Sequence, residues 1–327
     1  MCLYPRLIIN KKYIGTQKNK FKPPQIKDLR TMYVPIGCGN CIECKKKRAN
    51  EWKVRLCEEL KNDNKNAKFV TLTFSDEKLE KICNKINKQE SNAVATYAVR
   101  HFLELWRANE KKSVKHWLIT ELGQKKTERI HLHGIIWAND EKIKKYWKYG
   151  QIYIGKFVNE KTINYITKYC TKVDIKHKGY NPIILTSKGI GKKYTETLAA
   201  EISKQTDKYK TKAGTEIALP IYYRNKLFTE EERENLWIEK LDKNERWING
   251  VKIKADDFKA IEEQLKAGQE RNERLGYGNL QTPRTKYNAR IIELNELRII
   301  KREAHKKAHS QEEYLKLLHD YKKKRGC

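Results

Sequence analysis

Hydrophobic and polar positions alternate, or apolar residues run together, in several short segments of the first half of the chain. These segments are rich in β-branched and aromatic residues, and they predict β-strands over residues 68–74, 114–122, 129–137 and 151–158. Apolar residues at helical spacing predict helices over residues 48–60, 93–107, 139–147 and 161–173. This order of elements predicts an α+β fold, an antiparallel sheet with helices packed over one face.

The pattern changes beyond residue 227. The sequence Thr-Glu-Glu-Glu at residues 229–232 has the form of a capping box and predicts the start of a helix, while Asn-Gly at residues 249–250 predicts a turn. Gly268 indicates the beginning of a loose connection before a long charged helix over residues 286–322. Because the apolar positions of that helix recur at three-residue steps, it needs a partner surface, either the preceding domain or another subunit.

Two histidines lie in one of the predicted strands. The side chains of His131 and His133 share a face of that strand, while that of Leu132 points to the opposite face. Glu121 precedes a charged stretch that is typical of a hairpin turn, so folding back would bring its carboxylate beside both imidazoles. These three side chains predict a metal site with open coordination positions. A pair of histidines on a solvent-facing strand without any ligand is the alternative.

Two tyrosines follow further along the chain. Tyr165 and Tyr169 are four residues apart and share one face of a predicted helix, and Lys168 and Lys172 each follow a tyrosine by three positions. Tyrosines at this spacing are more often part of a hydrophobic core. Their combination with the histidine pair favours a chemical role.

Three of the eight cysteines are closely spaced. Cys38, Cys41 and Cys44 have the form C-x2-C-x2-C, which brings three thiolates towards one ion, and Cys2 or Cys57 can supply the fourth ligand of a tetrahedral zinc. We favour Cys2, because Cys57 lies in a predicted helix. Reduced, unliganded thiols fit the spacing as well as structural zinc does, and an iron–sulfur cluster is a third alternative. In a reducing cytosol a disulfide framework is not expected.

The chain is strongly basic. Its 71 Lys and Arg against 41 Asp and Glu give a net charge of +30, which attracts a polyanion such as nucleic acid. An AT-rich genome with a preference for Lys codons accounts for part of the lysines. The basic run predicted to contact DNA phosphate, with a solvated helix face as the alternative, consists of Lys45, Lys46, Lys47 and Arg48. We find no secretory signal and no apolar run of the roughly twenty residues that cross a bilayer, so we expect a cytoplasmic protein without a membrane partner.

These motifs resemble those of the two-tyrosine HUH endonucleases, which initiate rolling-circle replication. The His131-Leu132-His133 strand with its upstream acid and the tyrosine helix in YxxKY spacing carry the resemblance. The chain is more narrowly similar to the replication initiators of gokushovirus-type Microviridae, which are bacteriophages with single-stranded DNA. The features that carry this second likeness are Met1-Cys2-Leu3-Tyr4-Pro5, the CGxCxxC sequence at residues 38–44, the threonine-rich segment at residues 69–74 and Gly189-Ile190-Gly191.

The resemblance implies an enzyme, a single-strand DNA endonuclease and ligase that nicks and rejoins the replication origin through a 5′-phosphotyrosine. Tyr165 and Tyr169 would act as alternating nucleophiles, and Lys168 or Lys172 would help to activate them. The resemblance implies Mg²⁺ or Mn²⁺ at Glu121, His131 and His133, although these ligands also suit zinc or ferrous iron. The implied partners are single-stranded origin DNA and the helicase and polymerase of a bacterial host, in whose cytoplasm the protein would act.

Three regions follow from this interpretation. We expect a cysteine-rich segment with a basic helix over residues 1–60, an HUH-like catalytic domain over residues 61–227 and a helical C-terminal extension over residues 228–327. Two alternative functions remain open. One is a non-catalytic zinc-knuckle regulator that binds nucleic acid, and the other is an HUH transposase or relaxase, although those commonly use one tyrosine or a third histidine.

Overall fold

Strands and helices alternate along the part of the chain that the computed structural model describes, which is residues 1–124, 128–177, 180–279, 304 and 307–324. The strands are β1 (Arg6–Ile9), β2 (Tyr33–Ile36), β3 (Ala67–Leu72), β4 (Lys115–Leu122), β5 (Ile130–Trp137), β6 (Ile152–Gly155), β7 (Ile184–Thr186), β8 (Lys208–Lys210), β9 (Glu216–Ala218), β10 (Glu245–Ile248) and β11 (Val251–Lys254). The helices are α1 (Ile42–Asn62), α2 (Asp76–Ile86), α3 (Ser91–Glu110), α4 (Asp140–Tyr146), α5 (Glu160–Thr167), α6 (Leu198–Thr206), α7 (Ile221–Leu227), α8 (Glu230–Asp242), α9 (Phe258–Arg274) and α10 (Gln311–Lys324). Residues Met1–Thr282 form one unit and Pro283–Cys327 a second.

Five strands form the main sheet of the first unit, in the order β6-β3-β5-β4-β7, and each pairs antiparallel with its neighbours. Strands β4 and β5 pair along their whole length, so that Glu121 lies directly opposite His131. The predicted α+β class is therefore confirmed. The predicted hairpin between the acid and the histidines is confirmed as well, with strand bounds that differ from the expected ones by a single residue.

Helices cover both faces of this sheet, and the prediction of helices over one face is wrong. Helices α2, α3 and α4 pack on one face, with Val99 and Phe102 among the buried residues. Helices α1 and α5 pack on the other, where Leu56 and Ile163 contact the face that carries Trp117. Strands β4 and β5 are buried at nearly every position, as is expected of strands enclosed between two layers.

Gly134 allows β4 and β5 to approach each other directly after the histidine pair. A Cβ atom at this position would lie 2.0 Å from the carbonyl oxygen of Trp117 and 2.8 Å from Cα of Leu118. Both are backbone atoms of the neighbouring strand, which no side-chain movement can relieve. A glycine is therefore required at this position of the hairpin.

The tyrosine helix is shorter than predicted. Helix α5 ends at Thr167, and a 3-10 turn over Lys168–Cys170 follows it, so the prediction of one helix over residues 161–173 is wrong at its C-terminal end. The hydroxyl of Thr167 donates to the carbonyl of Ile163 at 2.8 Å, and the hydroxyl of Thr171 donates to that of Lys168 at 2.8 Å. Such side-chain bonds compete with the regular helix and favour its termination.

The region after residue 227 agrees in part with the predictions. Thr229 caps α8 through a capping box, and the turn between β10 and β11 has positive φ angles at both Asn249 (51°) and Gly250 (87°), as in a type I′ hairpin. Gly268, however, lies inside α9 and not in a loose connection. It is buried there because a Cβ atom would lie 2.6 Å from Cδ2 of Leu3.

The predicted helix over residues 286–322 is described only in its last part. Residues 308–310 are not helical, and the hydroxyl of Ser310 accepts from the backbone N–H of Glu313 at 3.2 Å at the start of α10. The chain therefore begins a new helix at this point, which contradicts one continuous helix. Residues 286–303 lie outside the described residues. Among the helices that the structure describes, none has the length and apolar character of a membrane span.

Candidate functional site

Glu121, His131 and His133 converge on the face of the sheet that α1 and α5 cover. The Oε2 atom of Glu121 lies 3.1 Å from Nε2 of His131 and 2.9 Å from Nε2 of His133. The two imidazole rings are 4.8 Å apart. One ligand atom from each side chain can therefore reach a common ion, and the predicted group of three is brought together.

The second nitrogen of each imidazole has a partner of its own. Nδ1 of His131 lies 3.2 Å from the backbone carbonyl of Arg129, and Nδ1 of His133 lies 3.0 Å from the hydroxyl of Thr71. A carbonyl accepts only from a protonated Nδ1, so this contact leaves Nε2 of neutral His131 free of a proton and directed at Glu121. Partners of this kind are typical of metal-binding histidines, and the residues therefore fit a divalent ion.

Thr71 was missed as a site residue by the sequence reasoning, which noted it only as part of a threonine-rich strand. It lies opposite His133 in the pairing of β3 with β5. The signal that could have found it is the alternation along β3, because residues 69, 71 and 73 all face the histidine side of the sheet.

Glu121 is largely buried, yet its carboxyl group carries a charge in these surroundings. Burial raises its pKa, but hydrogen bonds from His131, His133 and Lys172 outweigh this and hold the pKa well below its ordinary value. The ammonium group of Lys172 forms an ion pair with the second carboxylate oxygen. A hard anionic oxygen is thereby directed at both imidazoles, as a site for a divalent cation requires.

Both tyrosines lie against the histidines. The ring of Tyr169 stacks on that of His133, with centroids 4.8 Å apart and planes 7° from parallel. The hydroxyl of Tyr169 donates to the hydroxyl of Tyr165 at 2.7 Å. Tyr169 is 6% exposed and Tyr165 is 42% exposed. The two phenols thus form a connected pair with one buried and one accessible member.

The two lysines differ in their contacts. Lys168 lies over both phenol rings, 4.6 Å from the centroid of Tyr165 and 5.9 Å from that of Tyr169. Lys172 lies 5.6 Å from the ring of Tyr169 and pairs with Glu121. Burial, with the hydrogen bond to Tyr165, raises the pKa of Tyr169 above its ordinary value. The buried phenol therefore stays protonated unless a neighbouring group changes.

The cysteine group is assembled as predicted, with Cys2 as its fourth member. All four sulfur atoms lie within 4.8 Å of one another, and the separations are 3.8 Å for Cys2–Cys41 and 4.0 Å for Cys38–Cys44. Sulfurs bound to one tetrahedral zinc at about 2.3 Å would be about 3.8 Å apart. Cys57 is not part of this group, and burial raises the pKa of its thiol to about 11.

Backbone N–H groups support the sulfur atoms. Those of Tyr4 and Cys38 donate to Sγ of Cys2 at 3.3 Å and 3.2 Å, and that of Cys41 donates to Sγ of Cys38 at 3.3 Å. The hydrogen bond with the Cys2 thiol lowers the pKa of Cys41 to about 6 and also lowers that of Cys38. Thiolates are the form that binds metal, so the group is suited to an ion.

The basic run at the start of α1 is only partly available to a ligand. Lys46, Lys47 and Arg48 are exposed. Lys45 is 9% exposed, its ammonium group lies 5.6 Å from the ring of Tyr277, and burial lowers its pKa. The expectation that Lys45 contacts DNA phosphate is therefore wrong, because this side chain packs inside the protein.

Comparison with known proteins finds relatives in replication. Residues 67–174 match the model of the replication-associated protein family that is named for ORF2, and they include the histidine strand and the tyrosine segment. The "Replication-associated protein ORF2" of Spiroplasma virus 4 is 28% identical over 187 residues, which cover 49% of this chain and 56% of that protein. The chain thus spans about half the length of the curated relative it matches. No solved structure matches the chain.

Proposed function

We propose that this protein is a phage replication initiator that nicks and rejoins single-stranded DNA at the replication origin. The similarity to replication-associated proteins over residues 67–174 supports the role in replication. The protein would act in the cytoplasm of a bacterial host, where the 3′-hydroxyl released by nicking can be extended by a host polymerase with the help of a helicase.

One observation carries the catalytic part of the proposal. The phenol of Tyr169 stacks directly on an imidazole that lies 2.9 Å from the site carboxylate, and its hydroxyl is bonded to that of Tyr165. Two potential nucleophiles therefore lie beside a group of three metal ligands. A hydrophobic core would explain the burial of Tyr169, but not the exposure of Tyr165 or the hydroxyl pair.

The proposed reaction exchanges one phosphoester for another. The phenol oxygen of a tyrosine attacks the scissile phosphorus, a 5′-phosphotyrosine bond forms, and the bond to the 3′-oxygen breaks. The phenol loses its proton, and the leaving 3′-oxygen gains one. A divalent ion held by Glu121, His131 and His133, Mg²⁺ or Mn²⁺ by the resemblance, would supply a Lewis acid for a phosphate oxygen. The reverse exchange rejoins the strand.

Tyr165 is the better candidate for the first attack. It is the more exposed of the two phenols, and it accepts a hydrogen bond from Tyr169, which stabilises negative charge on its oxygen. The ammonium of Lys168 lies over its ring and favours the same charge. Tyr169 would attack in the second step, after the origin has been regenerated. Lys172 would orient Glu121 through their ion pair.

We also propose that Cys2, Cys38, Cys41 and Cys44 bind a structural zinc ion. The tetrahedral spacing and the N–H groups directed at sulfur support this assignment over unliganded thiols. A closed set of four thiolates leaves no open position, so this ion would stabilise the fold and take no part in the nicking reaction.

The experiment that tests the function uses purified protein, a labelled single-stranded oligonucleotide that carries the phage origin, and Mn²⁺. We expect a covalent protein–DNA adduct on a denaturing gel. Tyr165→Phe should abolish most of the adduct in the first round, Tyr169→Phe should retain it, and the double variant should form none. Tyr33→Phe is a matched control, because Tyr33 is 46% exposed and lies on β2.

Two results would reject the proposal. The first is an adduct that survives the double substitution, because neither phenol would then be the nucleophile. The second is the absence of cleavage with any divalent metal while single-stranded DNA still binds. In that second case the cysteine group would favour a zinc-knuckle regulator that binds nucleic acid without catalysis.

A further inference from the structure

An aromatic strip lies at the edge of the main sheet, next to the candidate site. Strand β6 is an edge strand, and its Gly155 lies opposite Phe69 of β3. A Cβ atom at Gly155 would lie 3.1 Å from Cδ1 of Phe69, so the missing side chain makes room for the phenylalanine ring across the edge strand. Tyr153 flanks this ring at 6.2 Å and is 62% exposed.

The strip is continuous with the site. The ring of Phe69 lies 6.1 Å from that of Tyr165 and 6.4 Å from that of His133. A series of ring contacts therefore connects the exposed Tyr153 to the proposed first nucleophile and to a metal ligand. No other part of the proposed mechanism uses Phe69 or Tyr153.

Exposed aromatic rings beside a site for DNA cleavage are suited to nucleobases. Every base has a π face, and stacking on an aromatic side chain contributes roughly 1–3 kcal/mol per base in proteins that bind single strands. Duplex DNA cannot use this strip, because its bases are stacked on each other. Exposed Lys156 and Lys161 border the segment in sequence, and the net charge of the chain is +30. Single-stranded DNA is the occupant that this combination of rings and positive charge fits.

The opposite side of the site gives the strand a direction. Phe69, Thr71 and Thr73 project from one face of the β3 backbone in that order, and Thr71 contacts His133. A cleft of about 630 Å³ follows, lined by residues that include Thr73, Gln151 and His131. A strand that runs along β3 would pass from the aromatic strip across the metal ligands to this cleft.

We propose that Tyr153 and Phe69 form a stacking platform for the bases on one side of the scissile phosphate, and that the strand continues into the cleft beside His131. The inference rests on the proposed function and specifies how its substrate is held. It makes Tyr153 and Phe69 determinants of single-strand binding, which neither the sequence motifs nor the metal ligands indicate.

The test measures binding of a fluorescein-labelled single-stranded origin oligonucleotide by anisotropy, with the full chain in EDTA so that cleavage does not interfere. We expect Tyr153→Ala to weaken binding about 5- to 150-fold, the range that corresponds to one lost stack. Tyr153→Phe keeps the ring and should bind as the unaltered protein does. Trp247→Ala is the control, because Trp247 is 60% exposed on β10, outside the main sheet.

A second readout reports stacking itself. The fluorescence of 2-aminopurine, substituted at each position around the nick, should be quenched at one or two positions on one side of it, and Tyr153→Ala should remove that quenching. Phe69→Leu should do the same and provides a variant that keeps an apolar side chain under Gly155.

The inference is overturned if Tyr153→Ala binds as tightly as the unaltered protein, if Tyr153→Phe is as weak as the alanine variant, or if duplex DNA is bound in preference to the single strand. Failure of the proposed function looks different, because the unaltered protein then forms no adduct in Mn²⁺. An adduct together with an unaffected Tyr153→Ala variant rejects the platform alone.

Discussion

Thr71 positions His133 without being a metal ligand, since its hydroxyl lies 3.0 Å from Nδ1 of that imidazole. Thr71→Val keeps the shape of the side chain and removes this partner. We expect it to weaken Mn²⁺ binding about 10- to 100-fold, the usual effect of losing such a support. Titration calorimetry with Mn²⁺ measures this directly. Thr96→Val, which removes a hydroxyl bond to Asn92 within α3, should leave the affinity unchanged.

His116 is a residue for which the fold predicts a pH effect on stability. It is 6% exposed, and burial lowers its pKa below the ordinary value of about 6.5. Because the unfolded chain then binds the proton more readily, the stability contribution is complete above pH about 6.5 and decreases as the pH falls towards the folded-state pKa. The slope from one such group cannot exceed about 1.4 kcal/mol per pH unit.

His116→Gln should flatten the dependence of the unfolding free energy on pH in this window, measured by urea denaturation between pH 5 and about 7. The comparison is of slopes, so a uniform loss of stability in the variant does not affect it. His319→Gln serves as the control because His319 is exposed on α10. An unchanged slope below pH about 6.5 in His116→Gln would contradict the assignment.

At the scale of elements, the close contact of β4 and β5 makes Gly134 sensitive to substitution. Gly134→Ala would bring a Cβ atom to 2.0 Å from the Trp117 carbonyl oxygen, so the two strands that carry the metal ligands must separate. We expect a loss of about 3 kcal/mol or more in the free energy of unfolding, above the usual range for overpacking. Gly155→Ala meets only the Phe69 side chain, at 3.1 Å, and should lose less. Equal losses in urea denaturation would argue against backbone contact as the cause.

The cysteine group joins three separate elements. It connects the N-terminal residues to α1, and Asn272 of α9 accepts from the backbone N–H of Ile42 at 2.9 Å while donating to the carbonyls of Tyr277 and Gly278. The hydroxyl of Tyr277 in turn donates to the carbonyl of Thr171, next to Lys172. The proposed zinc site therefore supports the segment that follows the tyrosines.

We expect one zinc per chain by mass spectrometry of metals, and none in Cys44→Ser. The variant should also unfold at a lower temperature, by about 2–4 °C for each kcal/mol lost in a chain of this size. Cys83→Ser is the matched control, because Cys83 lies on α2 outside the group. A protein that holds no zinc after purification in zinc-supplemented medium, with Cys44→Ser as stable as Cys83→Ser, would exclude the metal.

The sequence predicted the elements whose signal is local and periodic. Alternation placed His131 and His133 on one face, and the charged stretch after Glu121 gave the hairpin that brings the three together. The second helical layer was missed, because the burial of a strand on both faces depends on helices that are distant in sequence. The early end of α5 was missed because it depends on hydroxyl bonds from Thr167 and Thr171 that helical periodicity does not reveal.

At the scale of the whole molecule, the net charge of +30 makes binding to DNA depend on salt. For single strands, the logarithm of the binding constant falls by roughly 0.7 per contacted phosphate for each tenfold increase in salt. Lys46, Lys47 and Arg48 are exposed near the start of α1. Burial raises the pKa of Cys170 to about 11, while the positive charge of Arg48 opposes that effect, so this charge acts close to the tyrosine segment.

The basic run is either a phosphate contact or a solvated helix face, and the salt dependence separates the two. If all three side chains contact phosphates, the triple variant Lys46→Gln, Lys47→Gln, Arg48→Gln should reduce the slope by about 2. Tyr153→Ala should weaken binding without changing the slope, because stacking releases no counterions. The control variant Lys252→Gln, Lys254→Gln, Lys259→Gln removes the same charge from β11 and α9. An equal change of slope in that control would mean that charge anywhere on the molecule acts at long range, and an unchanged slope in the α1 variant would mean that its lysines only face solvent.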